Sequence, residues 1–358
     1  MKRLYLLSVF IPIAVGLDLA HASDTLIFAA SALGIMPTAL LMSQATEALA
    51  ERSGPGIGAI LNVTFGNAPE LIIAFFALLE GLQEVVKASI VGSVIGNVLL
   101  VLGASMFIGG LRRETQYFNR TAAYAQAGAL LLAVLALILP AVFQLVHGGG
   151  LPAVTEESHN FATDVEQLSL GVALVLMATY VGALIFSLKT HKQLFNPDAE
   201  HAAEDTWSVR KALGLLALAG VLVGVMSEIL VGSIAGASES VGLSPFFIGV
   251  VVVAIVGNAA EHFVAIIVAH KNKMDLAVNI ALGSSAQIAM FVAPVLVILS
   301  FFFGEHPMSL VFNGFELVAL ISAVLIANFV TSEGESNWFE GAQLLAVYLA
   351  LGLMFFFA

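Results

Sequence analysis

Two glutamates stand inside long apolar stretches of this chain, in the matching segments Gly66-Asn67-Ala68-Pro69-Glu70 and Gly257-Asn258-Ala259-Ala260-Glu261. A carboxylate near the middle of an apolar span is costly unless paired, hydrated or neutralised, so such residues default to function. No lysine or arginine falls at comparable depth in the sequence, which leaves a proton or a cation as the partner. Two carboxylates are balanced by one divalent ion or by two protons. Desolvation and mutual repulsion let protons compete for them near neutral pH. The ligands on offer are oxygens, which suit a hard cation such as calcium. Asn67 and Asn258 each place an amide oxygen one helical turn before the glutamate. Pro69 removes the amide that would bond the Phe65 carbonyl and so leaves a free acceptor. Gly66 and Gly257 ease local unwinding. The second segment has Ala260 where the first has Pro69, so unwinding there rests on Gly257.

A single offset of 191 relates the two segments and, without a gap, also pairs Gly92 with Gly283 and Ser93 with Ser284. Small residues at helix contacts account for the glycines, alanines and serines. They do not account for a glutamate at the same place in each copy. The copies are separated by five apolar spans, so they enter a membrane in opposite directions. Inverted repeats of this kind place the substrate site of secondary transporters at the midplane. Around the glutamates, Ser93, Asn97, Ser284 and Gln287 put polar groups on the helices expected to face them, as supporting residues or as bonds to neighbouring helices. His262 points about 100° around the helix from Glu261 and reads equally as a packing histidine or a proton relay. Glu47, Glu228 and Glu316 lie nearer span ends, where a water-exposed interfacial role is expected, with a supporting or gating role as the alternative.

The rest of the chain must position these groups in lipid. Of 358 residues, 59% are hydrophobic and 11% charged, and the mean hydropathy is +1.00; a soluble domain carries more than twice that charge. The 25 acidic residues outnumber the 13 basic ones, which argues against a nucleic-acid partner and for cationic ones. There is no cysteine, so disulfides, thiolate metal sites and cysteine nucleophiles are excluded. The expected fold is all-α: eleven transmembrane helices near 4–20, 25–49, 57–80, 85–110, 120–146, 168–188, 211–235, 245–270, 275–303, 309–331 and 339–357. The first reads as a retained helix rather than a cleaved signal, because Asp18 and His21 follow it. With the N-terminus inside, Lys2, Arg3, Arg52, Arg112, Arg113, Arg120, Lys189, Lys192, Arg210, Lys211, Lys271 and Lys273 fall on the cytoplasmic side and only Lys87 outside, the bias that orients membrane proteins. The C-terminus then faces outward. The domain reading is an N-terminal helix over 1–22, a five-helix repeat over 23–190, an acidic cytoplasmic linker over 191–209 and a second five-helix repeat over 210–358. An acidic outer loop runs from Glu156 to Glu166.

At GNAPELI from Gly66, GSVIGNVLLVLG from Gly92, PFFIGVVVVAIVGNAAEH from Pro245 and KMDLAVNIALGSSAQIAMF from Lys273, the sequence resembles the calcium/proton (cation/proton) exchangers of the cation/calcium antiporter superfamily. The resemblance covers nearly the whole chain. It implies a secondary antiporter, not an enzyme, exchanging calcium or a related divalent cation for protons, with no cofactor. It implies an ion site built from Glu70 and Glu261 with the backbone carbonyls of Gly66 and Gly257, and a first helix outside the repeats that slides as a gate. It points to the inner (plasma) membrane of a prokaryote and leaves open whether copies assemble into a homo-oligomer. A sodium/calcium exchanger is the alternative; it would need further sodium ligands around the same glutamates. A channel would use a ring of like residues from several subunits, and a zinc protease would need an HExxH helix that Glu261, His262 and His270 do not form.

Overall fold

The computed structural model describes residues 4–53, 58, 61, 64–154, 162–186, 207–304 and 306–358. A 3-10 turn at Leu4–Val9 leads into α1 (Phe10–Leu19), followed by α2 (Asp24–Arg52), α3 (Ala68–Leu79), α4 (Gln83–Gly110), α5 (Arg120–Val146), α6 (Thr163–Ile185) and α7 (Val209–Gly232). Then come α8 (Ile234–Val241), α9 (Pro245–Gly257), α10 (Ala259–His270), α11 (Met274–Ser300), α12 (Gly314–Val330) and α13 (Trp338–Phe357). Among the described residues seven helices are long and apolar enough to cross a membrane, or eight if α8 and α9, bent by 113°, form one broken span. The chain is therefore a mostly helical, polytopic membrane protein. Most of the linker placed at 191–209 and of the acidic loop at 156–166 lies outside the described residues.

Local chemistry sets the helix ends. Ser244 accepts the Phe247 amide with Pro245 in the first turn of α9, a start that needs no amide from the proline. The bend before it falls at Gly242, in the left-handed region at φ 69°, which a side chain would disfavour. Asn313 and Glu316 form a reciprocal capping box on α12. Among the described residues, strand structure is limited to a two-residue antiparallel ladder pairing Gln116 with Ser336 and Tyr117 with Glu335.

The chain gathers into two units that interleave along the sequence, so they group residues by space and not by the repeat boundaries. The first comprises Met1–Phe76, Thr179–Gly242 and Val256–Ala260. Its centre is α2 against α7, where Met42, Ala45 and Leu49 meet Ala212, Leu216 and Ala219. Gly34 leaves room there for the Met226 sulfur, which a methyl at 34 would meet at 3.0 Å. The opening turn packs on α2 through Leu4 against Ala39 and Leu40, and the Tyr5 hydroxyl donates to Gln44 Oε1 at 2.7 Å.

The second unit comprises Ala77–Ala178, Leu243–Ile255 and Glu261–Ala358. Its most enclosed element is α4, with 94% of its apolar window buried against 22% for α13. Gly92 lies so close to α9 that a methyl would run into the Val250 carbonyl and the Ala254 side chain; Gly249 likewise admits Val85 and Ala88. Lipid is as apolar as leucine, so hydrophobic burial does not hold these helices together; close backbone approach through small residues and interhelical hydrogen bonds do.

Candidate functional site

Both glutamate segments are broken helices. The helical path stops at Asn67 and resumes as α3 at Ala68; it stops again at Asn258 and resumes as α10 at Ala259. The two restarted helices are each 12 residues long and keep the offset of 191 at both ends. Glu70 and Glu261 each fall in the first turn after the break. A helix N-terminus presents unpaired amides and a positive dipole end, which favour a negative group there. The break occurs in both copies although only the first has a proline, so proline is not required for it. Gly and Asn, shared by both copies, are the sequence elements that accompany it.

In the first unit, Glu70 is 9% exposed, and Asn67 and Asn258 are buried at 1% and 0%. Gly257 is where the Glu70 side chain comes close: a methyl on Gly257 would stand 3.2 Å from Glu70 Cγ and 3.6 Å from Ile73 Cδ1. A side chain at 257 would press the Glu70 side chain back by a few tenths of an ångström. Gly66, by contrast, faces nothing within 4 Å of a would-be methyl. This unit thus brings together Gly66, Asn67, Glu70, Gly257 and Asn258.

In the second unit a directed chain of hydrogen bonds ends on the other glutamate. Asn97 Nδ2 donates to Ser284 Oγ at 3.2 Å, and Ser284 bonds the Glu261 carboxyl. Glu261 Oε2 is buried without a hydrogen-bond partner among the described residues. Ser93 is buried at 5% exposure and Gln287 is half-buried, on α4 and α11. Both helices pass into a π turn just beyond these serines, at Gly96–Val101 and Ile288–Val292; a third π turn, Ile248–Val253, precedes the break at Asn258. Such turns widen the helix, and they recur at functional sites. Nothing in the composition of these segments announced them. His262 is buried, and its Nε2 has no hydrogen-bond partner among the described residues.

Two readings of the outlying charges need correction. Glu47 and Glu228 are exposed. Glu316 is 0% exposed: its carboxylate turns back to cap α12 and accepts the Asn313 amide at 2.8 Å. The Asn-x-x-Glu pattern at 313–316 is a readable capping signal that outweighs distance from the span end. Lys87 is not a loop charge either. It is 1% exposed, pairs with Glu84 at 2.6 Å and donates to the Val311 carbonyl at 3.0 Å. The helix begins at Gln83, two residues before the expected span start, and the segment before α12 covers its first turn.

The sequence profile described as "Sodium/calcium exchanger protein" matches residues 23–189 and 211–357. The "Ca(2+)/H(+) antiporter ChaA" of Bacillus subtilis is 45% identical over 363 residues, covering 99% of each chain. The "Ca(2+)/H(+) antiporter" of Aphanothece halophytica is 44% identical over 366 residues, covering 98% of this chain and 95% of the relative. The solved structure of native YfkE superposes with a TM-score of 0.83 at 43% identity, covering 99% of this chain and 100% of that one.

Proposed function

The chain belongs to the sodium/calcium exchanger protein family, and within it we propose that it is a secondary antiporter that exchanges calcium, or a related divalent cation, for protons. Two relatives at 44% and 45% identity along nearly their full lengths bear the name of that activity. The observation that carries the residue assignment is the placing of Glu70 and Glu261 in the first turn after matched helix breaks. Broken helices with such termini are how transporters build ion sites inside a bilayer.

In this reading Glu70 and Glu261 are both cation ligands and proton acceptors. Asn67 and Asn258 add amide oxygens, and Gly66 and Gly257 add carbonyls freed at the breaks. Ser93, Asn97, Ser284, Gln287 and His262 orient the carboxylates. Calcium accepts six to eight oxygens at about 2.3–2.6 Å, a number that two carboxylates, amides, carbonyls and water together supply. The doubly ionised empty site is too costly to pass through a closed, dry intermediate. Only the calcium-bound and the protonated forms then cross between the two facing states, which makes the process exchange and not leak. The architecture we assign is eleven spans: the first helix as a gate, then inverted five-helix repeats over 23–190 and 210–358 joined by the linker at 191–209. The N-terminus is cytoplasmic, the C-terminus is outside, and the membrane is the plasma membrane.

The test is calcium flux into sodium-free proteoliposomes with an imposed pH gradient and the membrane potential clamped. Uphill calcium movement is expected. Apparent calcium affinity should fall as pH falls on the binding side, by about tenfold per unit for each proton released on binding. No flux under these conditions, with flux restored by a sodium gradient, would transfer the assignment to a sodium/calcium exchanger.

A further inference from the structure

Three ionisable side chains in the second unit lie outside the ion site. Glu84 and Lys87 stand one turn apart at the start of α4, and Glu316 stands in the first turn of α12. All are buried, Glu84 at 9%, Lys87 at 1% and Glu316 at 0% exposure. Lys87 Nζ binds Glu84 Oε1 at 2.6 Å and the Val311 carbonyl at 3.0 Å. Glu316 Oε2 accepts the Asn313 amide at 2.8 Å. Among the described residues, the charged groups that act on Glu316 are Lys87 and Glu84, both from α4. Two carboxylate oxygens are left over: Glu84 Oε2 and Glu316 Oε1 are buried and have no donor among the described residues.

Charge decides what this cluster holds. With every group ionised, two carboxylates face one ammonium, and one negative charge stays buried and uncompensated. Interiors do not retain such a charge; the group neutralises instead. A metal cation is disfavoured because Lys87 already brings a positive charge to Glu84 and the Val311 carbonyl. A proton fits, since it cancels the excess charge and turns one orphan acceptor into a donor while the other orphan oxygen remains as an acceptor. Glu84 has the ammonium as its direct partner, so the proton belongs on the other acid. We propose that Glu84, Lys87 and Glu316 form a proton-binding site separate from Glu70 and Glu261, in which the Glu316 carboxyl holds one proton at neutral pH. The proton completes an anchor that ties the start of α4 to the segment before α12, alongside the Gln83 amide bond to the His306 carbonyl at 2.8 Å. Through α4 the anchor is continuous with Asn97 and its bond to Ser284.

Infrared spectroscopy of the lipid-reconstituted protein tests this, in a Glu70→Gln/Glu261→Gln background that removes the ion-site carboxyls. A protonated-carboxyl C=O band is expected at neutral pH. It should shift in D2O and lose one carboxyl's intensity when Glu316→Gln is added. Glu84→Gln gives an independent reading: the cluster then balances without a proton, so the same intensity should fall as Glu316 ionises. An unchanged protonated-carboxyl band on adding Glu316→Gln overturns the proposal. If that variant does not fold, an unchanged band in Glu84→Gln overturns it.

Discussion

Two regions of this molecule bury acids, and they neutralise them differently. At the start of α4, Glu84 is met by an ammonium from its own helix, Lys87, at 2.6 Å. At the start of α10, Glu261 is met by a serine hydroxyl, itself oriented by Asn97. A hydroxyl helps hold a carboxylate in place but cannot cancel its charge. The first arrangement carries its counter-charge permanently, so it can serve as structure. The second must take its counter-charge from outside, so it can serve as a binding site. The contrast separates residues that hold the helices from residues that we assign to the exchanged ions.

The comparison breaks most visibly at the two glutamates that follow the helix breaks. Glu70→Gln and Glu261→Gln should each reduce pH-driven calcium flux in proteoliposomes to the level of protein-free vesicles, with expression and thermal stability in detergent unchanged. Glutamine keeps the size and one acceptor oxygen and removes only the charge that balances the cation. Substantial flux in either variant would mean that the counter-charge idea is wrong for that residue. Lys87→Met should do the reverse. Removing one partner of a buried pair costs on the order of 3–5 kcal/mol, so a large drop in thermal stability is expected, partly restored by adding Glu84→Gln. A stable Lys87→Met protein would place that pair among the interactions that contribute little.

Much of this was legible in the sequence because it depends on near neighbours along the chain. The offset of 191 that pairs Glu70 with Glu261 also relates the observed bounds of α3 and α10, and the starts of α4 and α11 at Gln83 and Met274. Apolar length located the seven helices that, among the described residues, are long enough to cross a membrane. What was not legible depends on contacts between distant segments. Lys87 reads as a loop charge until the chain around His306 and Val311 is seen to cover it. Glu316 reads as interfacial by its distance from the span end, whereas its side chain folds back onto its own cap. The three π turns, GNVLLV, IGVVVV and IAMFV, fall in mainly apolar stretches of a kind also found in ordinary membrane α-helices.

A smaller effect is expected where the hydroxyl meets the acid. Ser284→Ala removes the donor to Glu261 and leaves Asn97 without its acceptor at 3.2 Å. A hydrogen bond to a charged group contributes roughly 1.5–3 kcal/mol, so apparent calcium affinity should weaken by about tenfold or more, with flux still detectable at saturating calcium. Asn97→Ala acts one bond further away and should cost less. An Asn97→Ala loss larger than that of Ser284→Ala would show that Asn97 acts on the ion directly and not through the serine.

The smallest effect should come at Pro69. Proline removes the amide that a continuous helix would offer to the Phe65 carbonyl, which makes it the obvious cause of the break at Asn67. The second copy argues otherwise, since its helix breaks at Asn258 with Ala260 at the matching position. If Gly-Asn suffices in one copy, it should suffice in the other, and Pro69→Ala should leave calcium flux within about twofold of the parent, within the roughly 0.5 kcal/mol range of near-neutral substitutions. The restored amide lies in the first turn of α3, where helix amides have no partner within the helix, so alanine has little to gain by closing the break. The measurement is flux together with apparent calcium affinity. Loss of both in Pro69→Ala, with the fold intact, would show that the two breaks are held open by different means, proline in the first copy and glycine in the second.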